Sequence, residues 1–226
     1  MPSQNVVKEF HDDAIYHVYN RGVERRNIFQ DDQDYRYFLA YFDKYLGAIE
    51  FKDSFNRPYT KLSLDVQLLA YCLMPNHIHL VLKQKREGGI TQLMRKVQTG
   101  YAMYFNQKYS RVGSLFQGVY KASLVQDDSY LMHLSRYVHL NPVSLGLLPE
   151  LYPYSSYAAY LGESNPSFLH KKDIFELFES VASYQSFVDE WKPVAKTFQD
   201  GENIGNEING YLFLQGSTLQ ELGVTR

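Results

Sequence analysis

Apolar and polar residues partly alternate along "AIYHVYNRG" (14–22), a β-rich stretch that ends in an Asn-Arg-Gly turn. That pattern predicts a strand. The period then changes. In "DDQDYRYFLAYFDKYLGAI" (31–49), Tyr35, Phe38, Leu39, Phe42 and Leu46 fall at helical spacing behind acids suited to a helix N-terminus. "KLSLDVQLLAYCLM" (61–74) reads as a second strand and "HIHLVLKQ" (77–84) as its antiparallel partner across the Pro75-Asn76 turn, with Gly88-Gly89 ending the run. "ITQLMRKVQTGYAMYFNQKYS" (90–110) returns to the helical period through Leu93, Val97, Tyr101 and Tyr104. "SLFQGVYKASLVQ" (114–126) predicts a fourth strand. "DDSYLMHLSRYVHLNPV" (127–143) predicts a third helix, opened by acids and stopped at Pro142.

The order β-α-β-β-α-β-α is that of an α+β, ferredoxin-like or RRM-like unit. It implies one antiparallel sheet with helices packed on one face, the other face available, and one further helix. The turn-rich stretch "PELYPYSSYAAYLGESNPS" (149–167) reads as the exit from this unit. The expected division is therefore a domain over 1–162 and a small, mainly helical C-terminal accessory region over 163–226. Within that region "KKDIFELFESV" (171–181) and "YQSFVDEWKPVA" (184–195) read as helices, while the glycine-rich 197–216 predicts no element.

Composition narrows the class. A chain of 226 residues, 45% hydrophobic and 21% charged, has ordinary globular proportions. No apolar run approaches the roughly 18 residues of a membrane span. A secretory layout is absent from the N-terminus and the single cysteine, Cys72, lies in an apolar strand, so the expectation is a cytoplasmic protein without disulfides. The net charge of −2 hides an asymmetry: residues 1–160 hold 18 Lys/Arg against 15 Asp/Glu, and the remainder holds 5 against 10. Two basic clusters, Arg21-Arg25-Arg26 and Lys83-Lys85-Arg86, are candidates to hold phosphate; solvated surface charge explains them equally well. Twenty tyrosines suit a surface that stacks on bases, but they suit strands and core edges too.

The candidate chemistry centres on two histidines. On a strand, residues i and i+2 share a face, so His77 and His79 project together with roots about 6–7 Å apart, within reach of one metal ion. Ile78 faces the core. The alternative is a pair of strand-end histidines satisfied by water. A second polar set lies on the third helix, where Tyr130, His133, Tyr137 and Asn141 follow one face and Leu131, Leu134 and Val138 form the apolar stripe beside it. Tyr137 and Asn141, one turn apart, can approach the same ion or phosphate; a tyrosine packing over a sheet edge is the plainer reading. His139 points away from that face and reads as a surface or inter-domain residue. His133 reads as helix surface, with phosphate contact the alternative, and His17 as structural, with a place in the sheet near the site the alternative.

Five segments, "YHVYNRG", "AYCLMPNHIHLVL", "GSLFQGVYKASLV", "YLMHLSRYVHLNPV" and "YPYSSYAAYLG", come in an order and spacing that resemble the HUH-type single-tyrosine transposases, in particular the REP-associated tyrosine transposases. The resemblance covers residues 15–162. It implies that His77 and His79 bind a divalent metal ion, Mg²⁺ or Mn²⁺, that Asn141 is the third ligand, where some relatives carry Gln, and that Tyr137 is the nucleophile. It further implies that Asn20, Arg21 and Gly22 shape a turn and that Asn20 and Arg21 contact DNA. The implied activity is cleavage and rejoining of single-stranded, hairpin-forming DNA of REP type through a 5′-phosphotyrosine, by a monomer or a homodimer. A non-catalytic, domesticated single-stranded nucleic-acid-binding protein and a metallohydrolase using bound water are the alternatives.

Overall fold

The computed structural model describes residues 10–197. Four antiparallel strands form one sheet in the order β2-β3-β1-β4: β1 Ile15–Arg21, β2 Val66–Met74, β3 His77–Gln84 and β4 Lys121–Leu124. Helix α1 spans Asp32–Leu46, α2 Gly89–Lys108 and α3 Asp128–Leu140; the predicted element order holds, and the fold is α+β as expected. Among the described residues no helix is long and apolar enough to cross a membrane.

Helices α1 and α3 begin at a side-chain cap that the sequence supplies. Asp31 accepts from Asp34 N at 3.1 Å ahead of α1, and Asp127 accepts from Tyr130 N at 2.7 Å ahead of α3. Ahead of α2 the left-handed Gly88 (φ 77°) turns the chain. Gly89 then passes so close to Asp65 that a Cβ would lie 2.3 Å from its carbonyl oxygen.

The sheet separates two apolar layers. On one face Tyr16, Val18, Leu73, Ile78, Leu80 and Leu82 pack against Phe38 and Phe42 of α1 and Leu93, Val97 and Tyr101 of α2. On the other, Leu69, Ala70, Cys72, Met74 and Val81 pack under Leu131, Leu134 and Val138 of α3. A bulge between Leu68 and Ala70 puts Leu69 and Ala70 on this second face together. Two helices thus lie on one face as predicted, and α3 covers the β2–β3 half of the other. The stripe Leu131-Leu134-Val138 needs an apolar floor, and only that half of the second face offers one.

Two predicted elements are shorter than their patterns. The fourth strand is cut to Lys121–Leu124 because Gly118 (φ 69°) kinks the chain after Phe116 bridges to Gly22. Of the helix expected over 171–181 only one turn forms, α5 (Lys172–Phe175), after the equally short α4 (Tyr157–Tyr160). A capping box at Ser180 starts a new helix, α6 (Val181–Asp189), followed by α7 (Lys192–Thr197). Ile174, Tyr184, Val188 and Trp191 from this region share the α3 core. The remainder of the accessory region, 198–226, lies outside the described residues, as does nearly all of 197–216.

The stretch read as an exit has a second job. Along the outer edge of β2, Tyr160 Oη donates to Leu69 O at 2.8 Å, Ser156 N to Tyr71 O at 2.9 Å and Tyr152 Oη to Leu73 O at 2.6 Å, while Leu73 N donates to Tyr154 O at 2.9 Å. His170 N adds a bond of 2.8 Å to Leu68 O. The tyrosine-rich segment therefore closes the sheet edge.

Candidate active site

Strand pairing brings the polar residues together where α3 ends. In the register His77 lies opposite Arg21 and His79 opposite Tyr19, so β1 presents His17, Tyr19 and Arg21 on the face that carries the histidine pair. The imidazoles of His77 and His79 stand 4.9 Å apart at 87°. From above, α3 sets the Tyr137 ring edge-on to His79, with centroids 5.3 Å apart at 83°, and 6.0 Å from His17. Asn141, buried at the end of α3, points its side-chain oxygen at His77 Nε2, 3.5 Å away.

The orientation of these groups follows from their neighbours. Asn76 Nδ2 faces the Arg25 carbonyl at 3.4 Å, so its Oδ1 is turned to His77 Nδ1 at 2.6 Å. That oxygen only accepts; His77 therefore donates from Nδ1 and keeps a lone pair on Nε2. Asn141 Nδ2 donates to Tyr137 O at 2.9 Å, which leaves Oδ1 as the atom facing His77. Two acceptors thus oppose each other with no proton between them. Such an apposition is unfavourable on its own and is what the donor set of a cation looks like.

Burial tunes every ionisable group here. It pulls His77 down to about 4, with Arg21 adding to the effect; the Asn141 oxygen, which would accept from a protonated Nε2, opposes it. It pulls His17 down to about 3 and His79 well below its ordinary value, the latter helped by His77 and His17. All three imidazoles are neutral at pH 7, with lone pairs to give. Burial pushes the half-buried Tyr137 phenol upward, as do Tyr19 and Cys72, and the Asn141 hydrogen bond works against them. Among the described residues no three His, Cys, Asp or Glu side chains are grouped to hold a metal ion. The unprotonated atoms that meet here are imidazole nitrogens of His77 and His79 and the amide oxygen of Asn141.

The remaining predicted residues divide by position. Asn20 is buried; its oxygen accepts from Arg21 N at 2.9 Å and its amide reaches Gly118 O at 3.4 Å, so it ties the turn to the β4 approach. Arg21 is exposed beside His77 and its Nε donates to Gln117. Arg25 and Arg26 follow on a loop bonded to the Pro75-Asn76 turn. The second basic cluster is not brought to the site. Lys83 lies about 20 Å along β3 from His77. There Lys83 pairs with Asp173, Lys85 with Asp13 and Arg86 with Asp65. Adjacency in sequence placed these cations at the far end of the strand, each against a carboxylate.

Three further histidines have defined places. His17 lies in the sheet beside the pair: its Nε2 is 2.9 Å from His79 Nδ1, and its ring stacks on Tyr19 at 4.9 Å. The alternation in "YHVY" sets its face, but only the cross-strand register of β1 and β3 brings it to His79. His139 is fully buried, bonded to Tyr184 Oη at 2.6 Å and Ser156 Oγ at 2.7 Å, and so joins α3 to the C-terminal helices. His133 Nδ1 accepts from Arg136 at 2.7 Å beside Phe187.

Comparison with known proteins follows the same lines. No curated protein matches the chain. Among solved structures, a REP-associated tyrosine transposase bound to a REP hairpin matches with a TM-score of 0.52 and 11% identity, over 74% of this chain and 98% of that one. At that identity the likeness is one of fold. The pattern of the family described as "Transposase IS200 like" matches residues 11–141, a span that holds all four strands, α3 and Asn141. The chain belongs to this family of IS200-like transposases.

Proposed function

We propose that the protein cleaves and rejoins single-stranded DNA next to foldback hairpins of REP type, with Tyr137 as nucleophile. The observation that carries the reading is the apposition of His77 Nε2 and Asn141 Oδ1, with the Tyr137 ring edge-on to the neighbouring His79. Binding alone needs neither a pair of unprotonated donors nor a phenol beside them.

His77, His79 and Asn141 would hold the divalent cation, Mg²⁺ or Mn²⁺. Bound there, it supplies charge neutralisation at the scissile phosphate. Asn76 holds the His77 tautomer. His17 does the same for His79 when His79 Nδ1–H donates to it, leaving Nε2 free. Tyr137 oxygen then bonds to phosphorus as the phosphorus–O3′ bond breaks. The phenolic proton leaves to water, and the departing 3′ oxygen takes one up. A 5′-phosphotyrosine and a 3′-hydroxyl result, and attack by another 3′-hydroxyl reverses the step. Because burial raises the phenol's pKa, the tyrosine is poorly reactive until that charge is compensated. Arg21 and Arg25 lie beside this end of the sheet and are the phosphate contacts of the reading.

The test is incubation with Mn²⁺ and a labelled hairpin oligonucleotide, followed by a denaturing gel. A protein–DNA adduct that disappears in Tyr137→Phe is the expected result. Cleavage without an adduct would identify a water-using metallohydrolase, and binding without cleavage a non-catalytic DNA-binding protein.

A further inference from the structure

Beside the loop that follows β1, a cleft of about 420 Å³ is lined by Arg26, Asn27, Gln30, Phe105 and Arg111. Two guanidiniums face a polar opening over an aromatic floor. Arg26 Nε is buried and has no hydrogen-bond partner, although its Nη2 reaches the exposed Glu24 at 3.4 Å. A buried N–H of a cation left unpaired is unfavourable unless a ligand satisfies it. Arg111 is held by its Nη1 bond to Asn106 Oδ1 at 2.9 Å and rests 5.9 Å from the Phe105 ring. The nearby carboxylates are already engaged: Lys108 pairs with Asp31 and Asp34 at 2.7 and 2.8 Å, and Tyr109 Oη donates to Asp34 at 2.8 Å. Among the described residues no carboxylate lines the cleft.

The cleft is rigidly joined to the histidine end of the sheet. Gly22 N donates to Asn76 O at 2.8 Å and Ile28 N to Pro75 O at 2.7 Å; Val23 N donates to Leu115 O at 3.0 Å, and Tyr101 Oη bonds Ile28 O. Between these anchors Glu24 and Arg25 adopt left-handed φ of 56° and 58°, a conformation costly for residues with a Cβ. Arg26 lies five residues beyond Arg21, the partner of His77 in the register, or at most about 18 Å of chain.

We infer that this cleft is a second anion site that grips one backbone phosphate of the bound DNA strand, within a few nucleotides of the scissile bond, through Arg26 and Arg111. The inference rests on the DNA reading given above. The ligand class is a phosphodiester: a guanidinium pair forks onto phosphate oxygens.

The experiment measures anisotropy of a labelled hairpin with mixed-sequence single-stranded flanks, in chelator, over a range of salt. The proteins are the full chain, Arg111→Gln and Arg26→Gln, each checked for an unchanged melting temperature, with Arg111→Lys as the charge-conserving control. Expected is a loss of affinity of roughly ten-fold in each Gln variant. A salt slope shallower by about one should accompany it, with a smaller change in Arg111→Lys. A series of flanks with one neutral methylphosphonate each should reveal a single position that weakens the full chain and leaves Arg111→Gln unaffected. Unchanged affinity and slope in both Gln variants, with normal binding by the parent chain, overturns this inference and leaves the catalytic reading intact. Failure of the parent chain to bind DNA at low salt sinks both. Binding with the expected slopes but no adduct in the cleavage assay sinks only the catalytic reading.

Discussion

The proton on His77 sits where Asn76 requires it, and that constraint lies one residue away in the chain. Replacing Asn76 with Ala frees the tautomer and should raise the Mn²⁺ concentration for half-maximal adduct formation by about 10–100-fold, with adduct recovered at saturation. His17→Ala should do the same through His79. A Mn²⁺ titration of adduct formation checks both, and an equal loss of rate at saturating Mn²⁺ would argue against a positioning role. The histidines also carry a pH signature. His17, His77, His79 and His139 have pKa values lowered by burial, so the unfolded chain binds protons that the folded one does not. Their stabilisation is complete above the unfolded value of about 6.5 and is lost as pH falls toward the folded values. Each should steepen the decline by up to about 1.4 kcal/mol per pH unit below 6.5, measurable as urea midpoints at pH 7 and pH 5 in chelator. The i, i+2 rule made His77 and His79 legible in the sequence. His17 was not, because its role needs the cross-strand register of β1 and β3, which no local pattern encodes.

At the level of elements, β3 and α3 were read well because each carries an uninterrupted period and a capping or turn residue at its start. β4 and the 171–181 segment were overread for a related reason: apolar content continued past the point where Gly118 and the Ser180 capping box redirect the backbone. The basic run after β3 was legible as charge but not as location, since a strand carries its ends far apart. Glycine 89 shows the opposite case, a punctuation mark whose reason is tertiary. Gly89→Ala would drive a methyl into the Asp65 carbonyl and should destabilise the fold by about 1–3 kcal/mol. A lowered urea midpoint at constant m-value is the expected readout.

Across the whole molecule, the C-terminal helices complete the second layer. Ile174, Tyr184, Val188 and Trp191 cover Leu69, Leu134 and Val138, and His139 bonds to both Ser156 and Tyr184. A chain ending at residue 162 uncovers three side chains worth about 1.5–3 kcal/mol each, against a typical total of about 5–15 kcal/mol. Such a fragment should be unfolded or aggregated, as circular dichroism and sedimentation would report. A soluble, cooperatively melting fragment would instead support independent units. The expectation of two units rests on a change of composition and a turn-rich boundary, and this fragment is its test.

The tyrosine-lined margin of β2 has a wider meaning for how copies of this protein meet. Its outward carbonyls are already taken by Tyr160, Ser156, Tyr152 and His170, so the long border of the sheet offers no ladder to a neighbour, and the opposite border is only four residues long. Strand-by-strand polymerisation through β2 is thereby closed off. Among the described residues, the remaining sheet border is the short β4.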